Sequence, residues 1–192
     1  MNETARLEAF SDGVFAIAIT LLVLDIKVPR AEPDLLRALG EQWPSYVAYV
    51  VSFLTISVMW VNHHHLFKLI ARADNRLLFL NSLLLMLITF LNFSTALLAE
   101  YIENDERRIA ALVYAGTMVL IALIFNLLWR YASSGYHLLK PDTSPETVQT
   151  ITRQYRYGPL LYSAAFGLAV ISVPASIVLQ AGLAVFFALV EP

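Results

Sequence analysis

The residues able to do chemistry in this sequence are few, and they lie inside long apolar stretches, where a polar group is costly. Near the start, Arg6-Leu7-Glu8-Ala9-Phe10-Ser11-Asp12-Gly13 places a guanidinium, two carboxylates and a hydroxyl at the head of an apolar run that continues to Ile26. Trp60, the successive histidines His63, His64 and His65, and Asn81 follow. Histidines suggest a metal, but neighbours on a helix diverge by about 100° and cannot converge on one ion. No His-x-x-x-His or HExxH spacing occurs, so no metal is expected. Serine, histidine and aspartate suggest a nucleophile, yet there is no G-x-S-x-G elbow and no G-x-x-x-x-G-K phosphate loop. The chain has no cysteine, which removes disulfides, thiolate metal sites and thiol catalysis together. Neither an enzyme nor a cofactor is expected.

The elements that hold these groups are set by the solvent. Of the 192 residues, 58% are hydrophobic and 15% charged, with a mean hydropathy of +0.64. Such a chain cannot cover itself with polar surface, and its apolar runs have the length that crosses roughly 30 Å of hydrocarbon. The expected fold is an all-α integral membrane protein, one domain over residues 1–192, with spans near 9–28, 44–67, 77–99, 109–131, 158–173 and 175–190. The last two share one apolar stretch interrupted by Pro174, where a missing donor and a steric clash favour a break; a kinked helix or a re-entrant pair is the alternative. Ser144-Pro145-Glu146 reads as an N-cap with proline in the first turn, so a short helix is expected to lead into the fifth span. The net charge of −2 leaves no basic surface for nucleic acid. Met1 to Ala5 lack the features of a cleaved signal peptide.

Lysine and arginine set the orientation. With the N-terminus cytoplasmic, the inner side holds Arg6, Lys68, Arg72, Arg76, Arg130, Lys140, Arg153 and Arg156, against Lys27, Arg30, Arg37, Arg107 and Arg108 outside. A multi-pass protein of the cell membrane with both termini in the cytoplasm is the expectation. The outer loops also carry Glu32, Asp34, Glu41, Glu100, Glu103, Asp105 and Glu106; they are either solvated or a mild attractor of cations.

Within the first span, Ile17, Leu21 and Leu24 share one narrow helical stripe, and Thr20 lies about 60° to its side. Asp12 stands about 140° from Ile17, so the carboxylate faces something other than what the stripe faces. The second span enters from outside at Pro44 and reaches the inner side near His65, and the third starts inside. Trp60, His63, His64 and Asn81 therefore share the depth of Arg6, Ser11 and Asp12. Leaving such groups unpaired in hydrocarbon costs several kcal/mol each, which favours a closed network. The alternative, Ser11 or Asp12 merely capping a helix, shortens the first span to about 16 residues, below the usual crossing length.

Arg6-x-x-x-Phe10-Ser11-Asp12-Gly13-Val14-Phe15-Ala16-Ile17-Ala18-x-Thr20-Leu21 closely resembles the signature of prokaryotic relatives of the lysosomal potassium channel, transmembrane protein 175. Trp60-x-x-His63-His64 resembles the second-span motif of that family, and the chain length resembles one repeat of the two-repeat animal protein. The resemblance implies a homotetramer of six-transmembrane-helix subunits with no re-entrant pore loop, its central pore lined by the first helix of each. It further implies that Ile17 forms the constriction, Leu21 and Leu24 the rings outward of it, and Thr20 a neighbouring hydroxyl. Arg6, Phe10, Ser11, Asp12, Trp60, His64 and Asn81 would form the structural polar network, with the choice between His63 and His64 open. No TVGYG filter occurs, in keeping with a pore of aliphatic rings.

The reading is a passive, potassium-permeable cation channel in a lipid bilayer, with modest preference for potassium over sodium. A secondary transporter coupled to protons or cations through Asp12 and His64 is the alternative, and a non-conducting scaffold a third. Because the chain lacks cysteine, single-cysteine labelling reads topology directly. A probe at Asn104 is expected to react from outside and one at Asp74 only after permeabilisation; the opposite pattern refutes this orientation. A probe at Pro192 that reacts from outside identifies a re-entrant final pair.

Overall fold

The structure, a computed structural model, describes residues 3–30 and 33–189. Among these the chain is helical. α1 (Glu3–Leu21) tightens into a 3₁₀ turn over Leu22–Asp25. A short α2 (Leu35–Glu41) follows, then α3 (Trp43–Leu69), α4 (Asn75–Tyr101), α5 (Arg107–Ser133), α6 (Pro145–Ile171) and α7 (Val173–Leu189). Each helix from α3 to α6 has 27 residues, about 40 Å at 1.5 Å per residue and so longer than the hydrocarbon is thick. Four segments are long and apolar enough to cross a membrane: Thr4–Asp25, Trp43–Leu69, Asn75–Tyr101 and Arg107–Tyr136. α7 is apolar but has only 17 residues, and the first half of α6 is diluted by Glu146, Arg153 and Arg156.

The helix starts follow local chemistry. Asp34 caps α2 by accepting from the Arg37 N–H, Asp74 caps α4 through the Leu77 N–H, and Ser144 caps α6 through the Thr147 N–H. Pro44 and Pro145 sit in first turns, where a missing N–H leaves no gap. Two sequence expectations change here. α2 lies in a stretch read as loop, although Asp34 followed by three leucines within one helical turn and a half is a start signal. The helix after Ser144 is not a separate piece: it runs unbroken into the fifth apolar segment as α6.

Pro159 lies inside α6. It has no N–H to give the carbonyl of residue 155, and the Asn126 side chain of α5 donates to that Tyr155 carbonyl at 2.9 Å. A neighbouring helix thus replaces the donor that proline removes, as a low-dielectric surrounding requires. The break expected at Pro174 falls at Ser172, and Pro174 sits in the first turn of α7. The Ser176 hydroxyl donates to the Ala165 carbonyl at 2.7 Å. Eleven residues of continuous helix would hold those groups about 16 Å apart, so the chain turns back at Ser172. Val190, the expected end of the sixth span, and Pro192 lie outside the described residues.

The helices pack as two groups. α1 lies against α3 and α4, α6 against α5 and α7, and α4 against α5 joins them. At one end the loops lock together: Ile70 and Leu139 form an antiparallel bridge, with Ala71 N–H donating to the Leu138 carbonyl at 2.8 Å and Lys140 N–H to the Leu69 carbonyl at 2.9 Å. Beside it the Tyr131 hydroxyl donates to Asp74. That hydroxyl, and then the Leu77 N–H, hold the Asp74 carboxyl below its ordinary value of 3.8.

A carboxyl whose folded pKa is depressed stabilises the fold above its unfolded pKa and loses that contribution as pH falls through the folded value. Asp74→Ala is therefore expected to lower stability by about 1 kcal/mol at pH 7, the usual worth of a cap, read as the thermal midpoint in detergent. The gap between variant and parent should close as pH falls below 4; a gap that persists there refutes the assignment. Because a cysteine at Asp74 would remove this cap, exposed Asn75 is the better position for the label expected to need permeabilisation.

Candidate functional site

α1 presents two unlike faces. Leu7, Ser11, Phe15, Ala18 and Leu22, at helical spacing, are all buried against α3 and α4. On the other side Phe10, Ile17, Leu21 and Leu24 are 61%, 57%, 45% and 71% exposed. Gly13 and Thr20 are exposed on that side too, and the Thr20 hydroxyl donates to the Ile17 carbonyl at 3.0 Å. The four residues named from the stripe and the resemblance therefore lie together on the one face of α1 that its own chain does not cover.

The polar groups close into two sets. In the first, the Asn81 amide nitrogen donates to the Ser11 hydroxyl at 2.9 Å, and that hydroxyl donates to the Leu7 carbonyl at 2.8 Å. The Asn81 amide oxygen meets His63 Nε2 at 2.8 Å. Since an amide oxygen only accepts, His63 carries its proton on Nε2. Ser11, His63 and Asn81 are all fully buried, so this chain of bonds staples α1, α3 and α4 without access to water. The His63 ring stacks on Phe67 at 4.2 Å and meets Phe15 at 5.4 Å.

The second set is shallower. Trp60 Nε1 donates to Asp12 Oδ1 at 2.8 Å, and His64 Nδ1 meets Glu8 Oε1 at 2.8 Å. Trp60 and His64, four apart on α3, stack at 6.1 Å. All these side chains are partly open, so the pairing is a clip at the edge of the helix contact and not part of its core.

Four details differ from the sequence reading. His63, not His64, joins Asn81, because α3 turns His63 inward and leaves its neighbour about 100° away on Glu8. Arg6 is exposed, and its side chain makes no hydrogen bond or ion pair among the described residues. Phe10 stands on the stripe side, and the phenylalanine of α1 that packs on His63, beside Phe67 of α3, is Phe15. Glu8 was not foreseen. Phe15 carried a signal: it sits four residues after Ser11 and so shares its face. Glu8, four residues before Asp12, likewise matches the four-residue step from Trp60 to His64.

Residues 6–91, from α1 through most of α4, match the family model described as endosomal/lysosomal potassium channel TMEM175. Over 98% of its length the chain is 52% identical to a potassium channel of Chamaesiphon minutus, covering 95% of that protein. The chain belongs to the TMEM175 family. Another relative, a potassium channel of Streptomyces collinus, is 48% identical over 97% of this chain and 92% of its own length. The helices superpose on the crystal structure of a lysosomal potassium-selective channel TMEM175 homolog from Chamaesiphon minutus with a TM-score of 0.90, 51% identity and 98% coverage of each chain. Every residue of both polar sets falls inside the matched TMEM175 segment.

Asn81→Ala is expected to leave the Ser11 and His63 groups buried with one partner fewer, on the order of 3 kcal/mol for two such losses. Trp60→Phe removes one donor from a half-open carboxylate that water can reach, and should cost about 1 kcal/mol. Unfolding followed by fluorescence in detergent ranks them; an Asn81→Ala loss no larger than that of Trp60→Phe would show that the buried chain is not the stronger tie.

Proposed function

We propose that this protein is the subunit of a potassium-permeable cation channel, a homotetramer in which α1 of each copy lines a central pore. Ile17 is its narrowest ring, with Leu21 and Leu24 stacked outward and Thr20 beside them; the N-terminus and C-terminus are cytoplasmic and the protein sits in the cell membrane, with α1 and α3 to α7 as six transmembrane helices of one domain. The observation that carries this reading is the division of α1: a fully buried face fixed by Ser11, Phe15, Ala18 and Leu22, and an uncovered face holding Ile17, Thr20, Leu21 and Leu24. The potassium channels of Chamaesiphon minutus and Streptomyces collinus supply the ion.

Physics then constrains conduction. Aliphatic rings offer no oxygen to replace a hydration shell, so passage is governed by width and by the free energy of wetting an apolar neck. Discrimination between potassium and sodium is modest on this account, because no carbonyl cage measures the bare ion. Asp12 and His64, which a proton-coupled carrier would join in a relay, are bonded to Trp60 and to Glu8 and not to each other.

Ile17→Asn places amides in the neck and is expected to raise conductance and reduce any preference for potassium, since the dehydration barrier there falls. Purified protein in planar bilayers, with potassium on one side and sodium on the other, gives both quantities. The same change at Ile19, which packs toward the core, should mainly reduce assembly. Thr20→Val should alter the reversal potential less than Ile17→Asn. Unchanged conductance and reversal potential in an assembled Ile17→Asn channel would remove Ile17 from the pore.

A further inference from the structure

Where the two groups of helices meet, they do not close completely. A crevice of about 550 Å³ lies between α3, α5, α6 and α7, within the roughly 300–1,000 Å³ of pockets that hold small ligands. Small residues leave it open: Ala122 on α5, Gly158 on α6 and Ala184 on α7 all border it. A Cβ added at Gly158 would have one neighbour beyond its own helix, the Ala122 Cβ at 3.9 Å. Three helices line the crevice over a step of seven residues each, Thr55 to Asn62, Met118 to Phe125 and Tyr155 to Tyr162. It is therefore a slot that runs about 10 Å along the bundle.

The two ends of the slot differ. At the end of the bundle that bears Lys68, Arg130 and Arg156, the slot is bordered by Asn62 and by Tyr155, whose ring stacks on Phe125 at 6.2 Å. Tyr155 is only 9% exposed, and its buried hydroxyl has no hydrogen-bond partner among the described residues. Deeper in, the Thr55 hydroxyl already donates to the Val51 carbonyl at 2.8 Å, and Met59, Met118 and Ile121 offer no polar group. Tyr162 leans back toward the basic end, since side chains on α6 tilt toward the helix start. Water would find too few partners along these walls, and an empty slot would forfeit packing contacts. A hydrocarbon chain meets both constraints. Entering from the basic end, the chain of a membrane lipid brings its ester carbonyl, an acceptor, to the Tyr155 hydroxyl. Arg130, Arg153 and Arg156 are exposed at that end and make no ion pair among the described residues, so the headgroup that complements them is anionic. We propose that the slot holds one acyl chain of an anionic glycerophospholipid, its ester carbonyl accepting from Tyr155 and its phosphate facing the arginines. The site lies away from the face of Ile17, Leu21 and Leu24 and stands independently of the pore reading.

The test uses the full chain in phosphatidylcholine liposomes doped with a phosphatidylglycerol that carries a photoreactive diazirine at mid-chain, with labelled residues mapped after irradiation. Saturable labelling is expected on the slot residues Met118 and Phe125, against non-saturable labelling of Leu160, which is 63% exposed. Tyr155→Phe keeps the walls and removes only the hydroxyl. It should raise the half-saturating lipid concentration about fivefold, the factor one net hydrogen bond is worth. Ala122→Leu and, separately, Ala184→Leu fill the slot from different helices. Each should abolish the saturable labelling in protein that elutes like the parent, with Leu160 labelled as before. Labelling that survives either filling change overturns the proposal, as does its absence from the parent, the result expected if a second copy of the chain covers the slot. Equal labelling by phosphatidylcholine or by a free fatty acid with the same photoreactive chain also overturns it. If neither filled variant assembles, Tyr155→Phe decides, and an unchanged half-saturation overturns the site. None of these results bears on the pore, which Ile17→Asn tests on its own.

Discussion

The fold depends on one requirement, that a polar group taken out of water must find its partner inside the protein. Ser11, Asn81 and His63 meet it by bonding to one another across three helices, with the Leu7 carbonyl taking the remaining proton. Bonds of this kind are directional, whereas the aliphatic contacts around them are not. Burial of Phe15, Ala18 and Leu22 brings α1 close to α3 and α4; the hydrogen bonds fix its rotation. Once rotation is fixed, the outward direction of Ile17, Leu21 and Leu24 is fixed with it.

The same requirement recurs wherever a helix departs from regularity. Pro159 withholds a donor and Asn126 replaces it; the chain reverses at Ser172 and Ser176 reaches back to Ala165. Both interruptions are covered by a polar side chain on another helix or turn. In a water-soluble protein solvent could serve at such places, and the side chains would be free to vary.

How much of this could be read beforehand depended on whether a feature was local. The stripe of Ile17, Leu21 and Leu24 is a matter of period along one helix, and the pairing of depths that joined Ser11 to Asn81 follows from length and direction of crossing. The Ser144 and Pro145 start of α6 is likewise written in adjacent residues. What could not be read was azimuth between helices. His63 and His64 are neighbours in sequence and in depth, and only the rotation of α3 against α1 decides which one faces Asn81. Asn126 and Pro159 lie far apart in sequence, and nothing in either stretch announces the other. Phe15 is a different case, since its four-residue step from Ser11 was available and pointed to the buried face.

The locked loops at Ile70 and Leu139 bear on the order of events during synthesis. All members of the buried chain, from Ser11 to Asn81, precede residue 82, so they are in hand when the third long helix has emerged from the ribosome. The bridge to Leu139 and the Tyr131 bond to Asp74 close only after α5 has been made. The half of the protein that carries the stripe can thus adopt its arrangement early, with nascent α4 awaiting α5, and the later loops act as a latch on a unit already set.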